Sequence, residues 1–435
     1  MSTDSEARAI GRMTGAGDHS DWMDQLQRKR EPGPRSPFHH VVPPGAGTGT
    51  VAVHAGTYED RVTGAVGTPI FQTTTFKFSD ASYDAFFEGV TRDVPIYTRY
   101  GNPAQWSVQE KIAALEGAES AMVFSSGMAA IATTVTALTN AGGHIVTSYD
   151  VYGGTYNLMR DDMHQLGRDV SFVEPTDVSA IEAAIRDDTQ MFLFEGLTNP
   201  LMKALPITEI AALASANNIL LVIDNTFLTP VCSRPLALGA DIVIHSATKY
   251  LNGHSDLTAG VASGSRKFVD RIWAQMLRFG GSLEPFSCFL LERGLKTLHL
   301  RMRQHAANAT AIAAALDRHP GIARVYHPSL PDYDWKQPAA VLCPDGLYGG
   351  MVSFEVAGGN PAALKVMDAL KLPRVATSLG GVESLVSMPF NTSHSSLTEA
   401  QRGLVGIRPG LIRLSCGIEE PHDLIADLAQ ALDAV

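Results

Sequence analysis

A lysine and two hydroxyl residues directly follow a short apolar run near the middle of the chain. The run Asp241–His245 is typical of a buried strand, and Ser246, Thr248 and Lys249 come immediately after it. In open α/β sheets, ligands bind at the carboxyl ends of the strands. Hydroxyls at such an end suit an anion, and an amine there can form a Schiff base with a carbonyl cofactor. A plain surface lysine is the alternative interpretation.

A second stretch indicates a phosphate site. Phe124-Ser-Ser-Gly-Met128 passes from a predicted strand into a predicted helix, with Gly127 at the turn. The free N–H groups and the dipole at a helix start favour a bound phosphate. The stretch is not GxGxxG, so it gives little support to a dinucleotide site or to a nicotinamide dehydrogenase. Turns of this kind are common in α/β proteins, so this stretch alone decides nothing.

Three further residues could take part in chemistry. Asp224 ends the apolar run Leu221–Ile223, where it either makes a structural pair or holds a cationic ring nitrogen, as a pyridoxal electron sink requires. Tyr152 follows a predicted strand and is either an ordinary packed tyrosine or a cover for an aromatic ring. Arg413 lies within Leu411–Leu414, so its partner is a ligand carboxylate or phosphate, or an acid of the fold. In this order, these features predict an amino-acid enzyme that uses pyridoxal phosphate (PLP).

Alternating strands and helices are predicted to position these residues. The predicted strands are apolar throughout, as in a parallel sheet covered on both faces, and they are Ala121–Phe124, His144–Ser148, Val170–Val173, Met191–Phe194, Ile219–Ile223, Asp241–His245 and Gly260–Ser263. The predicted helices between them are Gly127–Leu138, Thr155–Leu166, Val178–Arg186 and Ile207–Asn217. The pattern predicts a doubly wound α/β domain.

The period changes after Leu290, where a smaller α+β domain is predicted. A long helical pattern runs over Leu290–Arg303 and continues through Ala306–Leu316. The remaining predicted elements are the strands Gly350–Val356 and Leu411–Ser415 and the helices Pro361–Leu370 and Pro421–Ala434.

Composition excludes several classes of protein. The chain has 435 residues, of which 45% are hydrophobic and 18% charged, so it can bury a large core in two or three domains. A net charge of −11 argues against nucleic-acid binding, and no apolar run approaches the length of a membrane span. Cys232, Cys288, Cys343 and Cys416 are widely spaced and form no CxxC pair. We therefore expect free thiols in a reducing cytoplasm, with neither a disulfide framework nor a metal site.

Seven ordered motifs resemble the Cys/Met-metabolism, or transsulfuration, family of PLP-dependent enzymes, which includes cystathionine γ-synthase, cystathionine γ-lyase and methionine γ-lyase. The resemblance begins near Val53, and it rests on Tyr97-Thr-Arg-Tyr-Gly-Asn-Pro103, Ser126-Gly-Met128, Asp224-Asn-Thr226, Ser246-Ala-Thr-Lys-Tyr250, Arg293-Gly-Leu-Lys-Thr-Leu298, Ser378-Leu-Gly-Gly381 and Arg413-Leu-Ser415. It implies the fold-type-I PLP-dependent transferase fold, with a mainly parallel sheet and a smaller C-terminal α+β domain.

The resemblance implies catalytic roles for three residues. Lys249 would form the internal aldimine with PLP and would then move protons between Cα and Cβ of the substrate. Asp224 would hold the pyridine nitrogen. Tyr152 would stack on the ring and could protonate the leaving group.

The resemblance also implies a set of binding residues. Gly127, Met128, Ser246 and Thr248 would bind the phosphate, and Asn199 would contact the cofactor and the substrate. Tyr97 and Arg99 would reach the phosphate in a neighbouring subunit, so the site requires a dimer, and a homotetramer built as a dimer of dimers is usual. Arg413 would hold the substrate carboxylate, with Ser378, Asn199 and Thr377 nearby.

Several positions depart from the family pattern. Thr377 stands where several relatives that act on cystathionine carry Glu, and Gly154 stands where methionine γ-lyases carry Cys. Leu197 in Gly196-Leu-Thr-Asn-Pro200 replaces a usual Pro, and Met388-Pro-Phe-Asn-Thr-Ser-His394 is atypical. Together these departures predict a remodelled distal pocket.

The expected activity is elimination of a group from Cγ of an L-amino acid by a PLP-dependent carbon–sulfur or carbon–heteroatom lyase. Candidate substrates are methionine, homocysteine and a non-sulfur analogue such as canavanine. The alternative is γ-replacement, as in cystathionine γ-synthase or O-acylhomoserine sulfhydrylase. A family member that binds PLP without turnover is a third hypothesis, but Lys249, Asp224, Tyr152 and Arg413 are all present.

The expected organisation of the chain has four parts. Residues 1–50 are predicted to form a flexible arm, with a short helix at Asp21–Lys29 and neither a signal peptide nor a transit peptide. Residues 51–105 are predicted to contact the neighbouring subunit. Residues 106–290 would form the PLP-binding α/β domain, and residues 291–435 the C-terminal α+β domain.

Overall fold

The computed structural model describes residues 42–89, 91–392, 395 and 398–434. Most of the predicted arm, including the helix predicted at Asp21–Lys29, lies outside the described residues. The first described helix begins at Thr48, within the range predicted as arm.

The larger of two sheets contains the strands that the sequence predicts. Its spatial order is β1-β7-β6-β5-β4-β2-β3. The strands are β1 (Ser120–Phe124), β2 (His144–Ser148), β3 (Asp169–Val173), β4 (Thr189–Glu195), β5 (Leu220–Asp224), β6 (Ile242–His245) and β7 (Gly260–Gly264). Strands β2 to β6 pair in parallel, and β7 is antiparallel to both β1 and β6. The prediction of a mainly parallel sheet is therefore confirmed.

Helices cover both faces of this sheet. The helices in this part of the chain are α1 (Thr48–His54), α2 (Asp80–Phe87), α3 (Pro103–Glu116), α4 (Gly127–Leu138), α5 (Gly153–Asn157), α6 (Met163–Gln165), α7 (Val178–Ala183), α8 (Ile207–Ala216), α9 (Thr229–Cys232) and α10 (Arg266–Phe279). Successive residues of β4 show the two-sided burial: Phe192 and Phe194 pack into one buried cluster, and Met191 and Leu193 into another. A sheet buried on both faces explains why its strands are apolar without alternation.

The second sheet has five strands in the order β10-β11-β12-β9-β8. These are β8 (Ile322–Tyr326), β9 (Met351–Val356), β10 (Arg374–Val375), β11 (Leu385–Ser387) and β12 (Leu411–Ser415), with helices α11 (Pro285–Leu295), α12 (Leu298–Leu316), α13 (Lys336–Leu342), α14 (Gly359–Ala369), α15 (Glu399–Val405) and α16 (Pro421–Asp433). The expected boundary at residue 290 falls inside α11, and the division into domains stays a prediction.

Other expectations need correction. The helix predicted over Thr155–Leu166 is α5 and α6 joined by a π-helical turn at Leu158–Asp162, an irregularity that an apolar periodicity does not reveal. The long helical pattern after Leu290 is broken between α11 and α12. The sequence analysis also does not predict α2, α10, β8, β10 and β11. Of these, α2 and β8 have no continuous buried run.

Two findings bear on the predicted environment. Cys232, Cys288, Cys343 and Cys416 are all free and buried. Among the described residues, no helix combines the length and hydrophobicity needed to cross a lipid bilayer.

Arg301 of α12 fixes the turn that carries Lys249. Its buried guanidinium donates to the backbone oxygens of Tyr250 at 2.7 Å, Leu251 at 3.2 Å and Gly294 at 2.8 Å. Burial lowers the pKa of Arg301 to about 10. These bonds satisfy three carbonyl groups in a region that water does not reach.

We expect Arg301→Lys to lower the thermal unfolding midpoint, because one ammonium group does not reproduce three planar guanidinium bonds. Each buried carbonyl left without a donor costs about 1–3 kcal/mol. The control is Arg303→Lys on the exposed face of the same helix. Equal midpoints for the two variants, by scanning calorimetry, would contradict this role.

Candidate active site

Lys249 lies in the turn that follows β6, at the carboxyl end of the strand. Its backbone N–H donates to the Ser246 oxygen at 3.1 Å, and its Nζ donates to Ser378 Oγ at 2.6 Å. Burial, together with the positive charge of Arg413, lowers the pKa of Lys249 to about 8. The neutral amine, which is the form that acts as a nucleophile or a base, is therefore far more populated near neutral pH than in an ordinary lysine.

Arg413 enters the same site from β12, with 5% of its surface exposed. It donates to Asn199 Oδ1 at 3.1 Å and to the backbone oxygen of Ser378 at 3.1 Å. Burial lowers the pKa of Arg413 to about 10. Both acceptors are neutral, so these bonds leave the positive charge available for an anionic ligand.

Ser378 touches both cations and has an unusual backbone. Its φ of +84° is in the left-handed region, which costs a residue with a side chain free energy. Gly380, with φ of +77°, packs so closely that an added Cβ would lie 2.6 Å from the backbone nitrogen of Tyr250. This loop can therefore lie directly against the Lys249 turn.

Asp224 ends β5 beside the lysine strand. Its Oδ1 accepts from the Thr226 backbone N–H at 2.9 Å and from Thr226 Oγ1 at 2.5 Å. Burial raises the pKa of Asp224, and the bonds from Thr226 and the nearby His245 oppose that rise. Thr226 Oγ1 also accepts from the Ser246 N–H at 2.8 Å, so one hydroxyl connects Asp224 to the turn before Lys249.

The start of α4 lies against the same turn. Ser126 Oγ caps the helix by accepting from the Ala129 N–H at 3.1 Å. An added Cβ on Gly127 would lie 2.8 Å from Ser246 Cβ, so only glycine allows this approach. The structure thus brings Gly127 and Met128 to Ser246, where N–H groups and a hydroxyl can hold an anion.

Thr248 has a structural contact as well. Its Oγ1 donates to the Ala259 oxygen at 3.2 Å and accepts from the Ala259 N–H at 2.9 Å. These bonds join the Lys249 turn to the residue before β7.

Tyr152 lies at the edge of the site with its side chain partly exposed. An added Cβ on Gly154 would lie 2.6 Å from Tyr152 Cε1 and 3.0 Å from Met128 Sδ. The tyrosine ring therefore occupies space that a side chain at position 154 would need.

The sequence analysis gave no role to two residues of this site. Thr226 connects Asp224 to Ser246, as described above. Glu195 ends β4 opposite Asp224 in the sheet register and accepts from the N–H groups of Tyr152 and Asn199. The signal was present, since Glu195 directly follows an apolar run, but the predicted strand ends one residue too early.

Three predicted site residues, Tyr97, Arg99 and Thr377, have surroundings other than the Lys249 turn. Arg99 donates to the Leu277 oxygen at 2.6 Å, at the end of α10, and its guanidinium lies 5.9 Å from the Tyr97 ring centre. In the described part of the chain, these contacts join Arg99 to α10 and to Tyr97, not to the Lys249 turn. Thr377 is exposed and immediately precedes Ser378.

These groups fit PLP on chemical grounds. An amine of lowered pKa suits the aldehyde, a buried carboxylate suits the ring nitrogen, and a helix start with a nearby hydroxyl suits the phosphate. A tyrosine at the rim can cover the ring.

Comparisons with known proteins agree. Residues 49–433 match the family model described as Cys/Met metabolism PLP-dependent enzyme. The chain is 38% identical over 388 residues to an L-methionine gamma-lyase of Treponema denticola, covering 88% of this chain and 95% of the relative. It is 39% identical over 390 residues to the chloroplastic cystathionine gamma-synthase 1 of Arabidopsis thaliana, covering 89% of this chain and 69% of the relative.

A solved structure supports the fold. The crystal structure of cystathionine gamma-lyase from Lactobacillus plantarum, complexed with L-serine, superposes with a TM-score of 0.83 at 37% identity. The match covers 90% of this chain and 99% of that one. The expected fold-type-I fold is confirmed.

We expect amine labelling of Lys249 in the cofactor-free protein to rise with pH through a midpoint near 8. The neutral amine reacts, and the pKa of Lys249 is lowered to about 8 by burial and by Arg413. Replacing Arg413 with Leu removes one lowering cause and should move the midpoint upwards. The measurement is labelling with an amine-reactive reagent, followed by mass spectrometry of the Lys249 peptide.

The control is Lys249→Ala, which identifies the labelled peptide. A wild-type midpoint near the ordinary lysine value of about 10.4 would contradict the geometry.

Proposed function

Because the chain belongs to the Cys/Met-metabolism family of PLP-dependent enzymes, we propose that it is a γ-lyase. It would eliminate a leaving group from Cγ of an L-amino acid. The observation that carries this proposal is the junction at Ser378, where an amine of lowered pKa and a buried guanidinium meet. Such a junction can hold the carboxylate of an amino acid beside a base.

PLP, when bound, supplies an electron sink that makes the protons on Cα, and then on Cβ, removable. Asp224 would hold its ring nitrogen, and Tyr152 would cover its ring. The proposed contacts to the phosphate and the ring edge are Gly127, Met128, Ser246, Thr248 and Asn199, with Tyr97 and Arg99 from a neighbouring subunit.

Lys249 would carry protons between Cα and Cβ. A base must be neutral to accept a proton, and burial with the charge of Arg413 supplies that condition by lowering the pKa of Lys249. Ser378 Oγ accepts from the amine and so limits the positions that it can take.

Arg413 would bind the substrate α-carboxylate. Its two hydrogen-bond acceptors are neutral, so a carboxylate adds the missing opposite charge. Asn199 fixes one edge of the guanidinium. Tyr152, whose side chain is partly exposed at the edge of the site, would give a proton to the departing group.

Substrate choice would follow from the distal side of the site. Thr377 is neutral, so it cannot pair with a distal ammonium as a glutamate would. Gly154 leaves its space to the Tyr152 ring, unlike the cysteine of methionine γ-lyases. Thr377 argues against cystathionine, and Gly154 argues against a dedicated methionine lyase. The candidates are methionine, homocysteine and a non-sulfur analogue such as canavanine.

The second candidate function is γ-replacement. It is supported by the similarity to a cystathionine gamma-synthase, whose 39% identity to this chain is close to the 38% of a methionine γ-lyase. A replacement enzyme needs a second substrate, whereas a lyase needs only water.

We also propose a homo-oligomer with shared sites, most simply a dimer of dimers. Val62, Val66 and Phe87 expose most of their side chains in the segment before α3, and Tyr97 is partly exposed there. Apolar groups concentrated in one segment favour burial against another subunit. A cytoplasmic location is supported by the four free cysteines.

We expect the PLP-loaded enzyme to convert one of methionine, homocysteine or canavanine without a thiol co-substrate. Methionine with water would give 2-oxobutanoate, ammonia and methanethiol; canavanine would give homoserine and hydroxyguanidine if water adds to the product. Mass spectrometry of the products identifies the leaving group. Cystathionine and an O-acylhomoserine, each with and without cysteine, complete the panel.

Lys249→Ala is the control, and it should abolish turnover. A thioether that forms only when cysteine is present would replace the lyase proposal with a synthase. Unchanged amino acids throughout, with a normal cofactor spectrum, would favour a protein that binds PLP without turnover.

We expect Lys249→Ala and Arg99→Ala chains, each nearly inactive alone, to regain activity when co-expressed. In a mixed dimer with shared sites, one site receives the intact Lys249 of one subunit and the intact Arg99 of the other. Random pairing in a two-fold dimer gives about a quarter of the wild-type activity. No gain in activity would contradict a shared site.

A further inference from the structure

Glu195 is a buried acid whose carboxylate bonds two separate loops. It is the last residue of β4, and 8% of its surface is exposed. Its Oε1 accepts from the Tyr152 N–H at 2.7 Å, and its Oε2 accepts from the Asn199 N–H at 3.0 Å. Tyr152 belongs to the loop after β2, and Asn199 to the loop after β4. One side chain therefore sets the relative position of two loops at the rim of the site.

Asn199 extends this connection to Arg413. Its Oδ1 accepts from the Arg413 guanidinium at 3.1 Å. The same loop is also fixed from the second sheet, because Ser353 Oγ of β9 donates to the Pro200 oxygen at 2.6 Å. Ser353 pairs directly with Arg413 across strands β9 and β12. Glu195 is thus connected to the Arg413 guanidinium through the single residue Asn199, and Ser353 holds the same loop from β9.

An acid at this position has an electrostatic cost. Burial raises the pKa of Glu195, the neighbouring Asp224 raises it further, and the N–H bonds from Tyr152 and Asn199 oppose that rise. A glutamine would avoid repulsion from Asp224, but an amide accepts hydrogen bonds at only one of its two end atoms. The carboxyl group accepts at both. A glutamine therefore could not accept hydrogen bonds from both N–H groups at the same time, as the Glu195 carboxylate does.

We propose that Glu195 is a positioning residue that holds the Tyr152 ring and the Arg413 guanidinium in the relation that one bound amino acid requires. This rests on the proposed roles of Tyr152 and Arg413. Glu195 acts through the backbone of Tyr152 and through Asn199, and it takes no part in proton transfer. It extends the site to a residue that is not part of the cofactor contacts proposed above.

Glu195→Gln is the principal variant, and its effect on the two N–H groups is specific. The amide oxygen keeps one N–H partner, while the NH₂ group faces the other N–H and cannot accept from it. Glu195→Asp keeps two acceptors but is one methylene shorter, so we expect it to recover part of the function. Glu355→Gln is the matched control, because Glu355 is equally buried and bonds Tyr326 instead.

Two measurements test the proposal without turnover. The first is hydrogen exchange at the amides of Tyr152 and Asn199, resolved to single residues by mass spectrometry. The second is the affinity of the PLP-loaded enzyme for glycine, from the change in cofactor absorbance. Glycine has the α-carboxylate but no leaving group. Its binding therefore tests the position of Arg413 even if the γ-lyase proposal is wrong.

We expect Glu195→Gln to fold, to exchange at least one of the two amides faster, and to bind glycine about tenfold more weakly. That factor corresponds to the loss of one hydrogen bond in a charged site. In turnover of the identified substrate, displacement of Arg413 should raise KM, and displacement of Tyr152 should lower kcat. Glu355→Gln should match the wild type in both measurements.

A purely structural role gives different results. Faster exchange with unchanged glycine affinity, or weaker binding with unchanged exchange, overturns the proposal. So does wild-type behaviour of Glu195→Gln in both measurements. Failure of both Glu195→Gln and Glu195→Asp to fold would make Glu195 a requirement of the fold and would equally overturn it.

Discussion

The site depends on two neighbouring cations, the half-buried Lys249 and the buried Arg413, and within the described residues no acid is hydrogen-bonded to either. Lys249 and Arg413 both donate to Ser378, one to its hydroxyl and the other to its carbonyl oxygen. Each charge makes the other less favourable, and the lysine responds because its pKa is the easier to lower. Burial, reinforced by this repulsion, thus makes the amine easier to deprotonate, next to a guanidinium that still needs an anion. An amino-acid carboxylate meets that need.

This arrangement requires two sheets to meet at one place. The larger sheet supplies Lys249 and Asp224 at the carboxyl ends of neighbouring parallel strands, where the fold collects its loops. The smaller sheet supplies Arg413 from the middle of β12, where pairing with β9 and β11 on both sides keeps it rigid. Gly127 and Gly380 permit the close approaches that bring the surrounding backbone to the lysine turn.

Local sequence signals explain what could be predicted. The helix Gly127–Leu138 was predicted to the residue, since a cap at Ser126 precedes a continuous apolar segment. Lys249, Asp224 and Arg413 stand out as polar groups next to, or within, apolar runs. Ser378 has no such signal, because its position depends on a backbone conformation that its neighbours impose. Glu195 was missed because the predicted strand ends at Phe194, one residue before it. The elements α2 and β8 were missed because neither has a continuous buried apolar run.

The distance along the chain between Lys249 and Ser378 has a consequence for protein synthesis. The two residues are 129 positions apart, and Arg413 comes later still. While the ribosome has made only the first sheet, Lys249 lacks the burial and the neighbouring charge that lower its pKa. We expect a nascent chain to carry an ordinary, protonated lysine there and to react poorly with cellular aldehydes. The pKa of Lys249 would fall to its final value only after β12, which carries Arg413, has been made and has paired with its neighbouring strands.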